Sequence, residues 1–307
     1  MTASLKIYHP DGTLLSESVC IRFSLLRERY LPHSVLSADF FCEHSDYSLL
    51  CRVQFFLDGV LLHDGILRSY TAKTEKNRRI LHITSHSFAE ALLHNQLTPG
   101  LHLHVTLSGL MTTYELPHMT YEENIPETTY IYVRDGTAMW DSIAGYNYKL
   151  NIGYPYVTLT NHLRMTPKSD DDPITIPAND ILSTQVGGDL SNLISRIDMA
   201  DIDGTYGTFS MSNPEATGRG ITRVKQILMD RMFLYDPYQA LYYRLAVSNR
   251  RLKQKIVTYF GYCGEDIEDL MKCEGFLQDR VSRILIIGDN GSVRTTDTFY
   301  YDSFCNT

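Results

Sequence analysis

Four histidines between residues 94 and 118 are the first side chains whose spacing could support chemistry. His102 and His104 are two apart, so in a strand they would point to one face and could share a zinc ion with a third ligand. His94 and His118 lie nearby in the sequence. The chain contains no His-Glu-x-x-His pattern, which places two zinc ligands on one side of a helix. We therefore interpret the pair as part of an exposed strand face and predict no metal site.

Acidic side chains form three groups that could bind a cation or transfer a proton. They are Asp170, Asp171 and Asp172; Asp266, Glu268 and Asp269; and Asp198, Asp201 and Asp203, which precede Gly204. Catalytic carboxylates need different environments to separate their pKa values, whereas the adjacent acids of the first two groups are expected to share one solvent environment. The third group is spaced like part of a calcium loop but lacks the closing Glu. These groups therefore predict no catalytic or metal site.

Motifs for a nucleophile or a phosphate group are missing. The sequence has no Gly-x-Ser-x-Gly, no Gly-x-x-x-x-Gly-Lys-Ser/Thr and no Gly-x-Gly-x-x-Gly. Gly218-Arg219-Gly220 could offer free N–H groups to an anion, but we interpret it as a flexible start of a helix. The sequence therefore predicts a non-enzymatic protein without catalytic or cofactor-binding residues.

The composition is typical of a soluble folded protein, with 43% hydrophobic and 21% charged residues among 307. Tyr is abundant, at 21 residues against 12 Phe and 1 Trp. Tyr combines an apolar ring with a polar hydroxyl, which suits half-buried strands and subunit interfaces. The net charge of −8 argues against a general nucleic-acid binder, and the basic run Lys76-Asn77-Arg78-Arg79 is predicted to be a hairpin turn.

Neither disulfides nor membrane insertion are expected. The six cysteines have no Cys-x-x-Cys spacing and are sparse, so we predict reduced thiols; they are Cys20, Cys42, Cys51, Cys263, Cys273 and Cys305. The N-terminus lacks a signal-peptide pattern, and no apolar run approaches the ~18 residues that span a bilayer. The sequence thus predicts synthesis in the cytoplasm.

Alternating apolar residues predict β-structure for the first ninety residues. Asp58-Gly59 stands between two apolar runs, which is a strong hairpin signal because Gly accepts the positive φ that such turns require. His63-Asp64-Gly65 predicts a second break. Ser87 and Glu90 have the spacing of a capping box and predict a short helix that closes this block.

Helix and strand patterns alternate in the rest of the chain. They predict strands at 101–107, 130–133, 154–160, 242–247 and 256–260, and helices at 138–144, 189–197, 220–232 and 265–273. Thr137 is expected to cap the helix that contains Trp140. The C-terminal region is predicted to be a hairpin that turns at Asp289-Asn290-Gly291.

These elements predict an α+β, mainly β fold in which two related β-domains flank an α/β insert. The first β-domain is expected over residues 1–97. A connector and an α/β insert with the Trp140 helix are expected over residues 98–200, and a second β-domain with short helices over residues 201–307.

Three stretches resemble the baseplate hub proteins of contractile phage tails, the late control protein-like group. Val53–Gly65 is similar to the hairpin of their first domain, Tyr130–Tyr146 to the strand–Gly–Trp-helix unit of their middle region, and Asp236–Arg244 with Tyr259-Phe260-Gly261 to their last β-domain. The structural motif residues that carry the resemblance are Asp58, Gly59, Gly65, Gly136, Trp140, Asp236, Pro237, Arg244 and Gly261.

The resemblance implies two tube-type β-barrel-like domains with smaller inserted domains, and a mechanical role without catalysis. It implies a homotrimeric ring with pseudo-sixfold symmetry that joins a hexameric tail tube to a trimeric spike. The expected partners are therefore other copies of the chain, a tail tube protein and a spike protein. The expected location is the virion tail of a phage or prophage, or a related contractile injection system.

Two other functions remain open from the sequence. Val133–Ala144 also resembles the opening of a LysM peptidoglycan-binding module, which would make the protein a glycan binder. The usual Leu-x-x-x-Asn start of the following helix is not clear after Tyr148. A glycoside or metal hydrolase would depend only on the acidic and histidine groups.

Overall fold

The computed structural model of the chain describes residues 1–42, 51–75, 78–150, 153–169, 172–289 and 291–301. Parts of several sequence predictions lie outside these residues. They are Lys76 and Asn77 of the basic turn, Asp170 and Asp171 of the first acidic group, Asn290 of the last hairpin turn, and Cys305.

Six antiparallel strands from the first 87 residues close into a barrel. They are β1 (Ala3–Tyr8), β2 (Leu14–Glu28), β3 (Val35–Phe41), β4 (Arg52–Leu57), β5 (Val60–Glu75) and β6 (Arg78–Ser87). Their order is β1-β4-β5-β6-β3-β2, and β2 pairs back with β1. Alternate residues fill the interior: Val53, Phe55 and Leu57 of β4 are buried between half-buried neighbours. The alternation that predicted these strands thus reports which side faces the barrel core.

The predicted Asp58-Gly59 hairpin is confirmed, because β4 and β5 pair antiparallel on either side of it. Asp58 has φ 48° and Gly59 has φ 82°, as a two-residue turn of this kind requires. The break predicted at His63-Asp64-Gly65 is wrong, because β5 continues through it. Gly65 has a packing role: a Cβ built there would lie 2.1 Å from the carbonyl oxygen of His86 on β6.

The short helix after β6 is present, but its predicted cap is not. A 3-10 turn over Phe88–Glu90 continues into α1 (Ala91–His94), and Ser87 makes no side-chain cap bond. The Ser87 hydroxyl instead accepts a hydrogen bond from the backbone N–H of Ser34 at 3.2 Å. Ser87 therefore bonds to Ser34 and Glu90 pairs with Arg68, and neither side chain takes part in a capping box.

The middle of the chain forms two small sheets around helices. Its elements are β7 (Gly100–Val105), α2 (Leu107–Met111), β8 (Thr120–Tyr121), β9 (Thr128–Val133), α3 (Met139–Lys149), β10 (Tyr156–Val157) and β11 (His162–Arg164). β7 pairs with β9, and β8, β11 and β10 form the second sheet. The strand predicted to reach Leu107 ends at Val105, because Thr106 accepts a hydrogen bond from Gly109 N–H and caps α2.

Helix α3 is longer than predicted and begins later. Ala138 is its N-cap residue and makes no side-chain bond, so the prediction that Thr137 caps it is wrong. Trp140, Ile143 and Ala144 are buried in a core that also contains residues of β9 and of the β10-β11-β8 sheet. This core is separate from the core of the barrel.

The remaining residues contain ten strands and two helices among those the structure describes. They are β12 (Ile174–Thr175), β13 (Ile181–Gly187), β14 (Arg196–Met199), β15 (Phe209–Ser212), α4 (Pro214–Thr217), β16 (Val224–Ile227), α5 (Pro237–Asn249), β17 (Gln254–Phe260), β18 (Leu270–Cys273), β19 (Leu277–Arg280), β20 (Arg283–Asp289) and β21 (Ser292–Tyr300). β20 pairs with β2, so the barrel sheet continues as β20-β21-β17-β13. Two three-stranded sheets, β12-β18-β19 and β15-β14-β16, accompany it.

The prediction of a mainly β fold is confirmed, with one closed six-stranded barrel. The second β region is a four-stranded continuation of the barrel sheet. The C-terminal hairpin is also confirmed, since β20 and β21 pair from Asp289↔Ser292 to Arg283↔Thr298.

Three predicted helices are wrong. Residues 189–197 hold a turn and the start of β14, residues 220–232 hold β16, and residues 265–273 end in β18. β14 and β16 pair in parallel, so sheet formation satisfies their backbone groups. An apolar spacing of three and four residues in so short a segment also fits a turn followed by a strand.

The strand predicted at 242–247 is wrong, because these residues belong to α5. Asp236 caps this helix by accepting a hydrogen bond from Gln239 N–H at 3.1 Å, and Pro237 occupies its first turn. These start signals override the β-propensity of the Tyr-Tyr and Val residues that follow.

Candidate assembly surfaces

The nine structural motif residues are spread over turns, caps and packing positions and form no single site. Asp58 and Gly59 form the β4–β5 turn, Gly65 lies on β5, and Asp236 and Pro237 begin α5. Gly136 has φ 72° in the turn before α3, and Gly261 has φ 83° directly after β17. Trp140 lies on α3 and Arg244 on α5.

Trp140 and Arg244 each connect separate parts of the chain. The indole Nε1 of Trp140 donates to the carbonyl of Tyr30 at 3.2 Å, which ties α3 to the loop after β2. Arg244 pairs with the buried carboxylate of Asp230 at 2.7 Å, and Arg134 pairs with the same carboxylate at 3.0 Å. The indole N–H of Trp140 and the guanidinium of Arg244 thus each hold together separate segments of the chain.

The histidines and the calcium-like acids have local partners. The Nε2 atom of His102 lies 2.7 Å from the carbonyl oxygen of Thr98, and the Nδ1 atom of His104 lies 2.7 Å from a carboxylate oxygen of Glu127. Asp201 accepts hydrogen bonds from the N–H groups of residues 203 and 205, at 3.0 and 2.9 Å. A turn held by its own side chain accounts for the calcium-like spacing.

The expectation that the acids at 266–269 share one solvent environment is wrong. Asp266 pairs with Arg27 at 2.9 Å, and Glu268 pairs with Arg29 at 2.7 Å, and all four side chains are buried. Arg27 lies at the end of β2 and Arg29 directly after it. The two ion pairs therefore join the barrel to the segment before β18.

A buried acid pair that the sequence analysis missed lies in the sheet extension. The hydroxyl of Tyr259 is 2.7 Å from Glu265 Oε1 and 3.1 Å from Asp297 Oδ2, and all three residues are fully buried. Burial, with the neighbouring Glu265 carboxylate, raises the pKa of Asp297 well above its usual range. Burial also raises the pKa of Glu265 to about 7.

An apolar groove of about 1000 Å³ is open to solvent between the β7–β9 sheet and the segments that follow β14 and β16. Six large apolar side chains in its lining are exposed: Leu101, Leu103, Ile202, Leu228, Leu234 and Tyr235. Leu228 is 73% exposed and Tyr235 is 87% exposed. Exposed apolar side chains gathered in one groove with a polar rim are a feature of protein interaction sites. We call this surface the apolar groove.

Strand β13 forms a second candidate contact surface at the end of the ten-stranded sheet. Within the residues the structure describes, it pairs on one side only, with β17. Leu182 is 45% exposed and Val186 is 75% exposed on this strand. An edge strand with free backbone groups and exposed apolar side chains can pair with another chain.

A cluster of polar side chains at one end of the barrel also escaped the sequence analysis. His33 from the β2–β3 loop, His86 from β6 and Glu90 from the following turn place one potential ligand atom each within 4.8 Å of one another. Burial lowers the pKa of His33 to about 4, so this imidazole is neutral at neutral pH. The sequence had indicated only His94, beside this cluster, as a possible metal ligand, and Glu90 only as part of a capping box.

Comparison with known proteins supports the fold. No protein-family model matches the sequence, and no curated protein matches it. The tail protein from Neisseria meningitidis MC58 aligns over 99% of this chain and 98% of its own, with a TM-score of 0.71 and 12% identity. The 43 kDa tail protein of prophage MuSo2 from Shewanella oneidensis aligns over 97% of both chains, with a TM-score of 0.68 and 10% identity.

The E. coli c3393 protein is a further structural match. It is a component of the type VI secretion system with structural similarity to the T4 bacteriophage tail proteins gp27 and gp5. It aligns over 97% of this chain and 77% of its own, with a TM-score of 0.58 and 8% identity. The predicted resemblance to phage tail proteins is therefore confirmed at the level of the fold. Among the residues described, no helix is long and apolar enough to cross a membrane.

Proposed function

We propose that the chain is a non-catalytic structural subunit of a phage or prophage tail, or of a related contractile injection system. In this proposal three copies form a hub ring that joins the tail tube to the central spike. The observation that carries the proposal is the apolar groove on a chain whose whole length has a tail-protein fold. A protein that works alone would leave this surface in contact with water.

The groove suits a permanent protein contact. Burying a large apolar side chain contributes about 1.5–3 kcal/mol, so Leu228 and Tyr235 together could anchor an interface. Tyr130 and Tyr132 line the same groove, and aromatic residues are enriched at interface cores. Arg134 and Arg231 line it as well, which supplies polar groups beside the apolar ones.

A closed ring needs two different surfaces on each subunit, because each copy contacts one neighbour on either side. The apolar groove and the edge of β13 share no residue and could serve as these two surfaces. A strand added at the edge of β13 would extend the ten-stranded sheet from one subunit to the next. Pairing of this kind also removes an exposed sheet edge.

We propose that residues 1–97 and 201–307 supply the two tube-type units of each subunit, with the insert of residues 98–200 between them in sequence. Three copies would then present six β units, which matches a sixfold tube. The pairing of β2 with β20 supports a fixed relation between the two units, because backbone hydrogen bonds run across it over seven residue pairs.

A glycan-binding function of the LysM type has weaker support. That module would need a second helix after α3, but residues 153–169 contain the strands β10 and β11. The fold instead uses this segment in a small sheet with β8.

The test is the mass of the purified chain by light scattering, alone and with candidate tail tube and spike proteins. We expect a species of three times the 35.1 kDa of one chain. Leu228→Asp should weaken the trimer at least tenfold, since a carboxylate would enter an apolar contact and a loss of about 1.4 kcal/mol is tenfold. Val60→Asp is the matched control, because Val60 is 58% exposed on the β5 hairpin outside the groove.

A monomer under all these conditions would contradict the proposal. So would equal effects of the Leu228 and Val60 substitutions, because the groove would then have no special part in assembly.

A further inference from the structure

The histidine cluster at the barrel end has a geometry that its hydrogen bonds do not explain. The Nδ1 atom of His86 lies 2.6 Å from Glu90 Oε1, and the Nε2 atom of His94 lies 3.2 Å from the same oxygen. The imidazole of His33 lies over that of His86, with 4.8 Å between ring centroids. Three imidazoles thus surround one carboxylate.

The ring nitrogen Nδ1 of His33 is buried and has no hydrogen-bond partner. A buried polar atom without a partner costs free energy, and such atoms are rare in folded proteins. One ring nitrogen of His33, one ring nitrogen of His86 and a carboxylate oxygen of Glu90 nevertheless lie within 4.8 Å of one another. An ion bound between them would give the half-buried imidazole of His33 a polar partner.

The types of ligand indicate the class of ion. Imidazole nitrogen and carboxylate oxygen together suit zinc and similar divalent transition metals, whereas calcium and magnesium prefer oxygen ligands alone. The side chain of His94 is 66% exposed and its Nε2 atom lies 3.2 Å from Glu90 Oε1, which makes it a candidate for a fourth ligand. Arg68 pairs with the other oxygen of Glu90, which fixes the carboxylate and leaves Oε1 facing the histidines.

We propose that His33, His86 and Glu90 bind one divalent transition-metal ion of the zinc type, with His94 as the fourth ligand. The ion would connect the β2–β3 loop, through His33, to the end of β6 and the turn before α1. It would therefore brace one end of the barrel. The site is independent of the proposed role in a tail.

The test uses the full-length, untagged chain after its metals have been removed with a chelator. Isothermal titration with Zn²⁺ should show one ion bound per chain. His33→Gln and His86→Gln should each weaken this binding by about tenfold or more, because each removes one ligand from a small set. Titration of the wild type with Co²⁺ should give the visible absorption of a tetrahedral nitrogen and oxygen site.

His102→Gln is the matched control, because His102 has a local hydrogen bond to Thr98 and lies in β7. It should bind Zn²⁺ like the wild type. Circular dichroism of each variant checks the fold, and the Co²⁺ spectrum of the wild type tests the site without any substitution. The proposal is overturned if the wild type binds no stoichiometric Zn²⁺, or if binding is unchanged in both His33→Gln and His86→Gln.

Discussion

Replacing Asp297 with Asn is expected to remove a large part of the pH dependence of stability. The hydroxyl of Tyr259 has one hydrogen but lies between two carboxyl groups, those of Glu265 and Asp297. Glu265 also accepts a hydrogen bond from the N–H of Cys263 at 3.0 Å, so it is the one of the two that loses its proton first as the pH rises. Once Glu265 is ionised, Tyr259 donates to it, and the carboxyl of Asp297, which is still protonated, donates to Tyr259.

The magnitude follows from counting protons. Burial raises the pKa of Asp297 well above 3.8, so the folded chain keeps a proton that the unfolded chain releases. Where the folded state binds one proton more than the unfolded state, the free energy of unfolding falls by about 1.4 kcal/mol per pH unit as the pH rises. This fall begins at about pH 5, where an unfolded Asp is already ionised, and ends where the folded Asp297 releases its proton.

Asn keeps a donor for the Tyr259 hydroxyl but does not titrate. We therefore expect Asp297→Asn to gain about 1.4 kcal/mol relative to the wild type for each pH unit above about pH 5 over which the folded wild type keeps this proton. Urea unfolding at a series of pH values measures this difference as a change of slope. An infrared band of a protonated carboxylic acid, present in the wild type and absent from the variant, would identify the proton independently.

Asp203→Asn is the control, because Asp203 is exposed in a turn and its substitution should leave the slope unchanged. Parallel pH profiles for the wild type and Asp297→Asn would refute the reasoning, since Asp297 would then be ionised in the folded chain.

Three further substitutions test the fold and the assembly surface. Glu268→Gln should lower the free energy of unfolding by about 3–5 kcal/mol, because it removes a buried charge that pairs with the buried guanidinium of Arg29. A loss below about 1 kcal/mol in urea unfolding would contradict this. Gly65→Ala should lower the melting temperature, because the new methyl would overlap the His86 carbonyl oxygen; an unchanged melting temperature would refute the close approach. Val186→Lys should weaken the trimer in light scattering, because a charge on an edge strand opposes pairing with another strand. The melting temperature of the monomer should not change. A trimer of unchanged stability would show that β13 is not part of the interface.

The barrel was predictable because its signals are local. Asp58-Gly59 needs two positive φ angles, and the alternation in β4 directly reports which side chains face the core. Asp236 and Pro237 are equally local signals for the start of α5. The strand predicted there followed instead the β-propensity of the residues after them, which the folded chain does not obey. Short apolar segments such as β14 and β16 fit either type of element, and only their pairing decides.

The candidate sites were not predictable from local pattern. His33 and His86 come together because β3 and β6 are neighbours in the barrel, and no spacing in the sequence reports this. The apolar groove is lined by residues from β7, β9 and the segment after β16. Each of these segments has the apolar pattern of an ordinary buried element, so the sequence alone does not show that their side chains are exposed together. The burial of Asp266 and Glu268 likewise depends on arginines at the far end of the chain.

The most direct test is an electron cryomicroscopy reconstruction of the chain assembled with its tail tube and spike proteins. We expect three copies around one axis, with Leu228 and Tyr235 buried against a neighbouring chain. Six equivalent copies, or a ring in which the apolar groove faces solvent, would contradict it.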